Sequence, residues 1–302
     1  MDWITGLSKA IYYIEEHLTD DIDYNEVAKR AYSSSYHFQR VFSILCGYTL
    51  GEYIRNRRLT LAGNDLKNED SKVIDIALKY GYENPDSFSR AFSNFHGVSP
   101  SVARENGSVL KSFSRLHLKL NLEGGNTMNY RIEEKETRIY TGYARHFDGV
   151  PGNRWEQEKE FFCNTRANQY LLQGMADDST AIYNIITNID DSGYDFYIAA
   201  LLPDHMRERI EEDCVLGKED AKRFEMIEIP KTTYAVFETE KAKFPTMLHM
   251  ELRRQIITEW LPSSGYELAD GAEITLTHWY KKSRHEERFI ELWLPVIKNN
   301  NL

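Results

Sequence analysis

The sequence has 302 residues, 41% of them hydrophobic, and no apolar run approaching the roughly 18 residues that span a bilayer, so two ordinary domains and no membrane segment are expected. Three cysteines (Cys46, Cys163 and Cys214) and nine scattered histidines offer neither a disulfide framework nor metal-ligand spacing, and the start Met1-Asp2-Trp3-Ile4 lacks the pattern of a secretory signal. The net charge of −10 argues mildly against a nucleic-acid binder, but binding DNA needs only a local basic face.

Residues 1 to about 106 read as helices joined by short turns, and they contain a repeat. One unit runs Val27-Ala28-Lys29-Arg30, then Ser34-Ser35-Tyr36-His37-Phe38-Gln39-Arg40-Val41-Phe42, then Gly47. The other, about 50 residues on, runs Ile76-Ala77-Leu78-Lys79, then Asn84-Pro85-Asp86-Ser87-Phe88-Ser89-Arg90-Ala91-Phe92, then Gly97. Each predicts a helix with a small Ala on its inner face, a turn, a capping Ser or Asn, and a second helix stopped by Gly. That is a helix-turn-helix. Between the units, Tyr53, Ile54, Arg57, Arg58, Leu61 and Ala62 recur at helical spacing, which predicts one long helix joining them stiffly.

A helix-turn-helix reads sequence by laying its second helix in the major groove. With Phe38, Val41 and Phe42 inward, Tyr36, His37, Gln39 and Arg40 are expected to face outward; with Phe88, Ala91 and Phe92 inward, so are Pro85, Asp86, Ser87, Ser89 and Arg90. Gln suits adenine, and Arg suits guanine or phosphate. Arg40 and Arg90 hold the same place in the two repeats. Arg30, Arg55, Arg58 and Lys79 are expected at phosphates, where they would add affinity without sequence choice. An ordinary helical bundle with solvated polar faces would not be expected to repeat its capping, Arg and Gly positions in tandem.

This stretch, residues about 5–106, resembles the AraC/XylS transcription regulators. Gly51-Glu52-Tyr53-Ile54-Arg55-Asn56-Arg57-Arg58-Leu59 is similar to that family's linker helix. Ile76-Ala77-Leu78-Lys79-Tyr80-Gly81-Tyr82, Ser87-Phe88-Ser89-Arg90-Ala91-Phe92 and Gly97-Val98-Ser99-Pro100 are similar to its second-unit signature. The resemblance implies binding to double-stranded promoter DNA, activation through RNA polymerase, and a cytoplasmic, nucleoid-associated protein. It also places Tyr36 where the multidrug-response branch sets an aromatic at the DNA. Asp86 departs from the pattern: either it reads a cytosine amino group, or the second unit binds DNA weakly.

Residues 107–127 contain Ser108, Ser112, Ser114 and then Gly124-Gly125-Asn126, and are expected to link the first domain (1–106) to a second (128–302). Beyond Met128, β-branched and aromatic runs alternate with amphipathic stretches, so the chain is multidomain: an all-α double helix-turn-helix followed by an α+β domain. The latter carries a faint duplication. Tyr197-Ile198-Ala199-Ala200-Leu201-Leu202-Pro203 is echoed about 92 residues later by Phe289-Ile290-Glu291-Leu292-Trp293-Leu294-Pro295. Each is preceded by a strand (138–144; 234–238), a helix (155–172; 246–260) and another strand (181–187; 274–280), giving two strand-helix-strand-strand halves.

On the last strand Phe289, Glu291 and Trp293 share one face, opposite Ile290, Leu292 and Leu294. A carboxylate between two large aromatics is costly if buried alone and well suited to an organic cation. The first half has Ala199 in its place. Tyr143, Tyr183, Tyr197, Trp260 and Trp279 are further aromatics able to line a pocket. The domain order and the Phe289–Val296 run resemble regulators with a GyrI-like small-molecule-binding domain, in which a glutamate at the place of Glu291 contacts ligand. The resemblance implies a small-molecule effector, with a cationic lipophilic one favoured by the residues. With no phosphate loop, nucleophile motif or metal site, no cofactor, metal or catalytic residue is expected and the chain reads as a non-enzyme. Two alternatives stay open: a hydrolase of electrophilic small molecules using Glu291, and a protein-docking module.

Overall fold

The computed structural model describes residues 3–68, 71–105, 107–117, 128–151, 155–211, 224–280 and 282–299. Two compact units divide the chain, the first drawn from residues 1–122 and the second mainly from 123–302. The Gly124-Gly125 end of the expected linker lies outside the described residues.

The first unit is helical: α1 (Trp3–Glu16), α2 (Tyr24–Arg30), α3 (Ser35–Cys46), α4 (Leu50–Asn68), α5 (Val73–Lys79), α6 (Pro85–His96) and α7 (Pro100–Ala103). The two helix-turn-helix units are α2–α3 and α5–α6. Their second helices begin on side-chain caps: His37 N donates to Ser34 Oγ at 3.2 Å, and Asp86 N to Asn84 Oδ1 at 2.8 Å. They end where Gly47 (φ 78°) and Gly97 (φ 82°) take the left-handed conformation that halts a helix. Ala28 and Ala77 are fully buried, and Ala77 shares a cluster with Phe88 and Phe92 of its paired helix.

The 19-residue α4 is the rod joining the units, about 28 Å long at 1.5 Å per residue. It starts on a reciprocal cap: Thr49 N donates to Glu52 Oε2 at 2.8 Å and Glu52 N to Thr49 Oγ1 at 3.0 Å. Its N-terminal half gives buried Leu50, Tyr53 and Ile54, with Tyr53 against Phe42. Its C-terminal half gives Leu59, Ala62 and Leu66 to a core with Ile76, Tyr80, Phe88 and Phe92. One helix thus belongs to both cores, which fixes their relative pose within this unit. Residues 107–117, the front of the stretch expected to be a linker, run extended along α4: Phe113 N donates to Thr60 Oγ1 at 2.9 Å and Leu116 N to Tyr53 Oη at 3.2 Å.

The second unit is a sheet with helices. Its elements are β1 (Tyr130–Lys135), β2 (Arg138–Asp148), α8 (Trp155–Asn164), α9 (Arg166–Met175), β3 (Ala181–Thr187), β4 (Gly193–Ala200), α10 (Asp204–Glu211), β5 (Glu225–Ile229), β6 (Thr232–Glu238), α11 (Thr246–Gln255), β7 (Tyr266–Leu268), β8 (Glu273–His278) and β9 (Phe289–Lys298). The strand order is β1-β6-β9-β8-β3-β4-β2-β5, antiparallel throughout, with β7 beside the end of β9. Each half therefore carries two strands before its helical layer and two long ones after it, one strand more than expected, with the short β7 added in the second half, and the halves exchange their first strands: β1 pairs with β6, and β5 with β2. The halves join where β3 meets β8. The helix expected over 155–172 is two helices broken at Thr165, and the helix expected over 246–260 passes into a π-turn after Gln255.

Strand alternation separates two faces. The helix-covered face buries Phe147, Phe161, Leu172, Met175, Phe196 and Ile198 in one half, and sets Phe237 against Trp260 in the other. The opposite face gathers Tyr140, Tyr183, Ala199, Tyr234, Val236, Leu276 and Trp293 into a second buried cluster.

Candidate functional site

On α6, Phe88 and Phe92 point into the core while Asp86, Ser87 and Arg90 are exposed and Pro85 is half-buried in the first turn. This is the outward face that the spacing predicted. On α3, Phe38, Val41 and Phe42 are inward as predicted, and Tyr36 and Gln39 are half-buried, with Gln39 donating to Ser35 Oγ at 3.1 Å. His37 and Arg40 correct the expectation: they are only 4% and 2% exposed. Spacing puts Arg40 across the helix from Phe38, but spacing assumes that whatever lies off the apolar stripe meets water, and these two side chains do not. Burial pushes the His37 imidazole down to about 4, so it is neutral.

The expected phosphate contacts divide similarly. Arg55 is exposed, and Arg30 is exposed with its guanidinium over the Tyr13 ring at 4.9 Å. Arg58 is turned inward, donating through Nε to Leu18 O at 2.8 Å and through Nη2 to Asp20 O at 2.6 Å. It caps carbonyls beyond α1. Lys79 pairs with Asp65 Oδ2 at 2.8 Å. Neither pairing is legible locally, because the partners come from elsewhere in the chain, the turn after α1 for Arg58 and α4 for Lys79. Beside them Arg57 grips Glu15 with two nitrogens (2.8 and 2.9 Å) while Tyr53 Oη donates to the same carboxylate at 2.6 Å. Burial raises the Glu15 carboxyl, and these hydrogen bonds outweigh it, holding the group below its ordinary value.

In the second unit Glu291 lies on β9 between β6 and β8, 8% exposed. Its Oε1 meets His278 Nε2 at 2.9 Å; its Oε2 accepts from Trp293 Nε1 at 2.8 Å and from Arg131 Nη2 at 2.9 Å. Burial pushes the carboxyl up, but the bonds from His278 and Trp293 and the charge of Arg131 prevail, and it stays below the usual carboxylate range. Phe289 stacks on His278 with ring centroids 4.1 Å apart. Tyr183 packs against Trp293 at 6.3 Å, with Tyr140 beyond it at 5.0 Å. Burial raises both phenols, so they are neutral hydroxyls.

Of the aromatics expected to line this site, Phe289, Trp293, Tyr183 and Tyr197 share the Glu291 face. Three do not, and correct the expectation. Tyr143 packs on the helix-covered face against Phe224, and Trp260 does so with Phe237 and Tyr130. Trp279 lies just past β8, beneath the Arg288 guanidinium at 4.1 Å. For Tyr143 the reason is strand parity; Trp260 comes from the helix layer. The residues the sequence reading missed are His278, Arg131 and Lys135. Arg131 and Lys135 alternate with apolar or exposed neighbours on β1, a pattern that announces a strand but not its partner.

Among the described residues no helix is long and apolar enough to cross a membrane, and no cluster of three or more His, Cys, Asp or Glu is placed to hold a metal ion. Residues 27–106 match the model of a helix-turn-helix domain family, and residues 131–296 that of the integron-associated effector binding proteins. The chain is 39% identical over 98 residues to the HTH-type transcriptional activator AarP of Providencia stuartii, covering 32% of this chain and 73% of that protein. It is 37% identical over 94 residues to the regulatory protein SoxS of Escherichia coli, covering 31% of this chain and 88% of SoxS. A solved structure of SAV2435 bound to tetraphenylphosphonium aligns with 56% of this chain and 94% of its own length, at 16% identity and a TM-score of 0.43. With its double helix-turn-helix in front and an effector-binding domain behind, the chain belongs to the AraC family of transcription regulators, and its second domain to the integron-associated effector-binding family.

Proposed function

We propose that the chain is a promoter-binding activator whose second domain takes up a lipophilic organic cation at Glu291. The observation that carries the ligand assignment is a nearly buried, ionised carboxylate set among Trp293, Phe289 and Tyr183. Such a site offers charge and ring faces to one ligand together, which a cation with apolar substituents uses best. Base reading is assigned to Arg90, Asp86 and Ser87 on α6, with Pro85 in its first turn, and to Tyr36 and Gln39 on α3; Arg30 and Arg55 serve phosphates. The α4 rod suits two reading heads in successive major grooves about 34 Å apart. AarP is named a transcriptional activator, which favours activation through RNA polymerase here too.

Titrating the full chain with tetraphenylphosphonium while following tryptophan fluorescence tests the ligand assignment. Saturable quenching that disappears in Glu291→Gln is expected; quenching that survives the substitution removes Glu291 from the site. A gel shift on the DNA upstream of the chain's own gene, with and without Arg90→Ala, tests the other half. The hydrolytic alternative is less well served, because a general base works best with a pKa near the working pH and Glu291 is held low.

A further inference from the structure

The carboxylate and the indole that would receive a cation are already in contact with cations of this chain. Arg131 reaches Glu291 at 2.9 Å and also pairs with Glu133 and Glu238. Lys135 Nζ lies 4.6 Å from the centroid of the Trp293 ring and pairs with Glu133. Both side chains come from one strand, β1. The register explains why a cation is needed: Glu238 stands directly opposite Glu291, two carboxylates side by side across β6 and β9. The other exchanged strand, β5, brings Ile227 and Ile229 to the equivalent edge, where they pack on the apolar cluster.

We infer that Arg131 and Lys135 are specificity-determining residues that act as built-in competitors, occupying the carboxylate and the ring that a cationic effector must take over. This rests on the cation reading of Glu291. Among the described residues β1 stands at the end of the sheet with β6 as its one neighbour in the strand order, and the Arg131 side chain is 38% exposed while that of Glu291 is 10% exposed. The guanidinium therefore has water to turn into, whereas the carboxylate is fixed. A ligand able to displace it must bring both a charge and apolar groups able to replace the Lys135 contact on the Trp293 ring. Small hydrated cations replace the charge alone and so gain little.

The test measures binding of tetraphenylphosphonium, and of neutral triphenylphosphine oxide, to the wild-type full chain, Arg131→Met, Lys135→Met, the double variant, and the double variant with Glu291→Gln. Melting curves establish that each is folded. Tighter binding of the cation by about tenfold or more in the double variant, lost on adding Glu291→Gln and absent for the neutral oxide, is the expected result. Cation binding that depends on Glu291 but is unchanged or weaker in the β1 variants overturns the competitor role and leaves the cation reading standing. If neither wild type nor double variant binds the cation through Glu291, the reading itself falls. Should Arg131→Met not fold, Lys135→Met alone decides: tighter binding supports competition at the indole, and unchanged or weaker binding overturns it.

Discussion

The two recognition helices are matched letter for letter at their Arg positions, yet Arg90 on α6 is exposed and Arg40 on α3 is 2% exposed. The two halves of the sheet show the same divergence. Glu291 on β9 holds a charged network, while the corresponding Ala199 on β4 lies 2% exposed in an apolar cluster between Tyr183 and Gly142. In both duplications the apolar positions that build the fold are kept in both copies. The equivalent polar positions differ in burial and partners. A repeat is thus a reliable guide to architecture and a poor one to the setting of each polar side chain.

The largest expected effect tests the sheet. Removing one partner of a buried charge network costs about 2–5 kcal/mol, so Glu291→Gln should weaken cation binding by roughly thirtyfold or more, read by fluorescence titration. Ala199→Ser in the other half should leave it within about twofold. Comparable losses in the two would mean that the halves share one site, and the asymmetry would be lost. The helices come next. Arg90→Ala should cost about 1–3 kcal/mol of sequence-specific binding, roughly fivefold or more in a gel shift. Arg40→Ala should instead lower the melting temperature. A larger loss of DNA affinity from Arg40→Ala than from Arg90→Ala would reverse the assignment.

Much of this is legible in the sequence, for identifiable reasons. The strands at 181–187, 234–238 and 289–295 stand out because they are dense in β-branched and aromatic residues, and the caps at Ser34 and Asn84 follow from short-range chemistry. β1 and β5 were hidden because their exposed and half-buried positions carry Arg, Glu and Lys, which read as solvated chain. The setting of Glu291 was half visible. Its aromatic neighbours on β9 follow from alternation, but Arg131 is 160 positions away and arrives through an exchanged strand that periodicity cannot foresee. Arg58 and Lys79 escaped for the same reason, since a cation's partner is a tertiary fact.

The helix layers extend the comparison to pH. Over the first half α8 and α9 present Phe161, Leu172 and Met175; over the second α11 presents His249, near Thr275 Oγ1 at 3.5 Å, and Arg253, paired with buried Glu273 at 2.5 Å. Burial, with a contribution from Arg253, pushes His249 down to about 4. The unfolded chain binds this proton at its ordinary pKa near 6.5, so between about 6.5 and 4 it holds more protons than the folded one. Stability should therefore fall as pH drops through that window and level off below it, by up to about 3 kcal/mol from this group. His249→Gln should flatten part of the slope in denaturant melts. An unchanged slope would place the acid sensitivity elsewhere, with His37 the next group to substitute.

The smallest effect concerns the rod. Arg55 and Arg58 lie one turn apart on α4 and were both expected at phosphates, yet one is exposed and the other holds the carbonyls of Leu18 and Asp20. A Cβ added at Gly81, just past α5, would come within 2.9 Å of Arg58 Nη1, so the same guanidinium also abuts the second helix-turn-helix unit. Arg58→Met should lose hydrogen bonds from a charged donor, worth about 1–2 kcal/mol here, and lower the melting temperature by a few degrees. It should leave the salt dependence of DNA binding unchanged. Arg55→Met should do the reverse, reducing the slope of log affinity against log salt by about one while leaving the melt in place. If Arg58→Met reduced the slope and spared the melt, its inward bonds would be dispensable and the two arginines would be equivalent phosphate contacts.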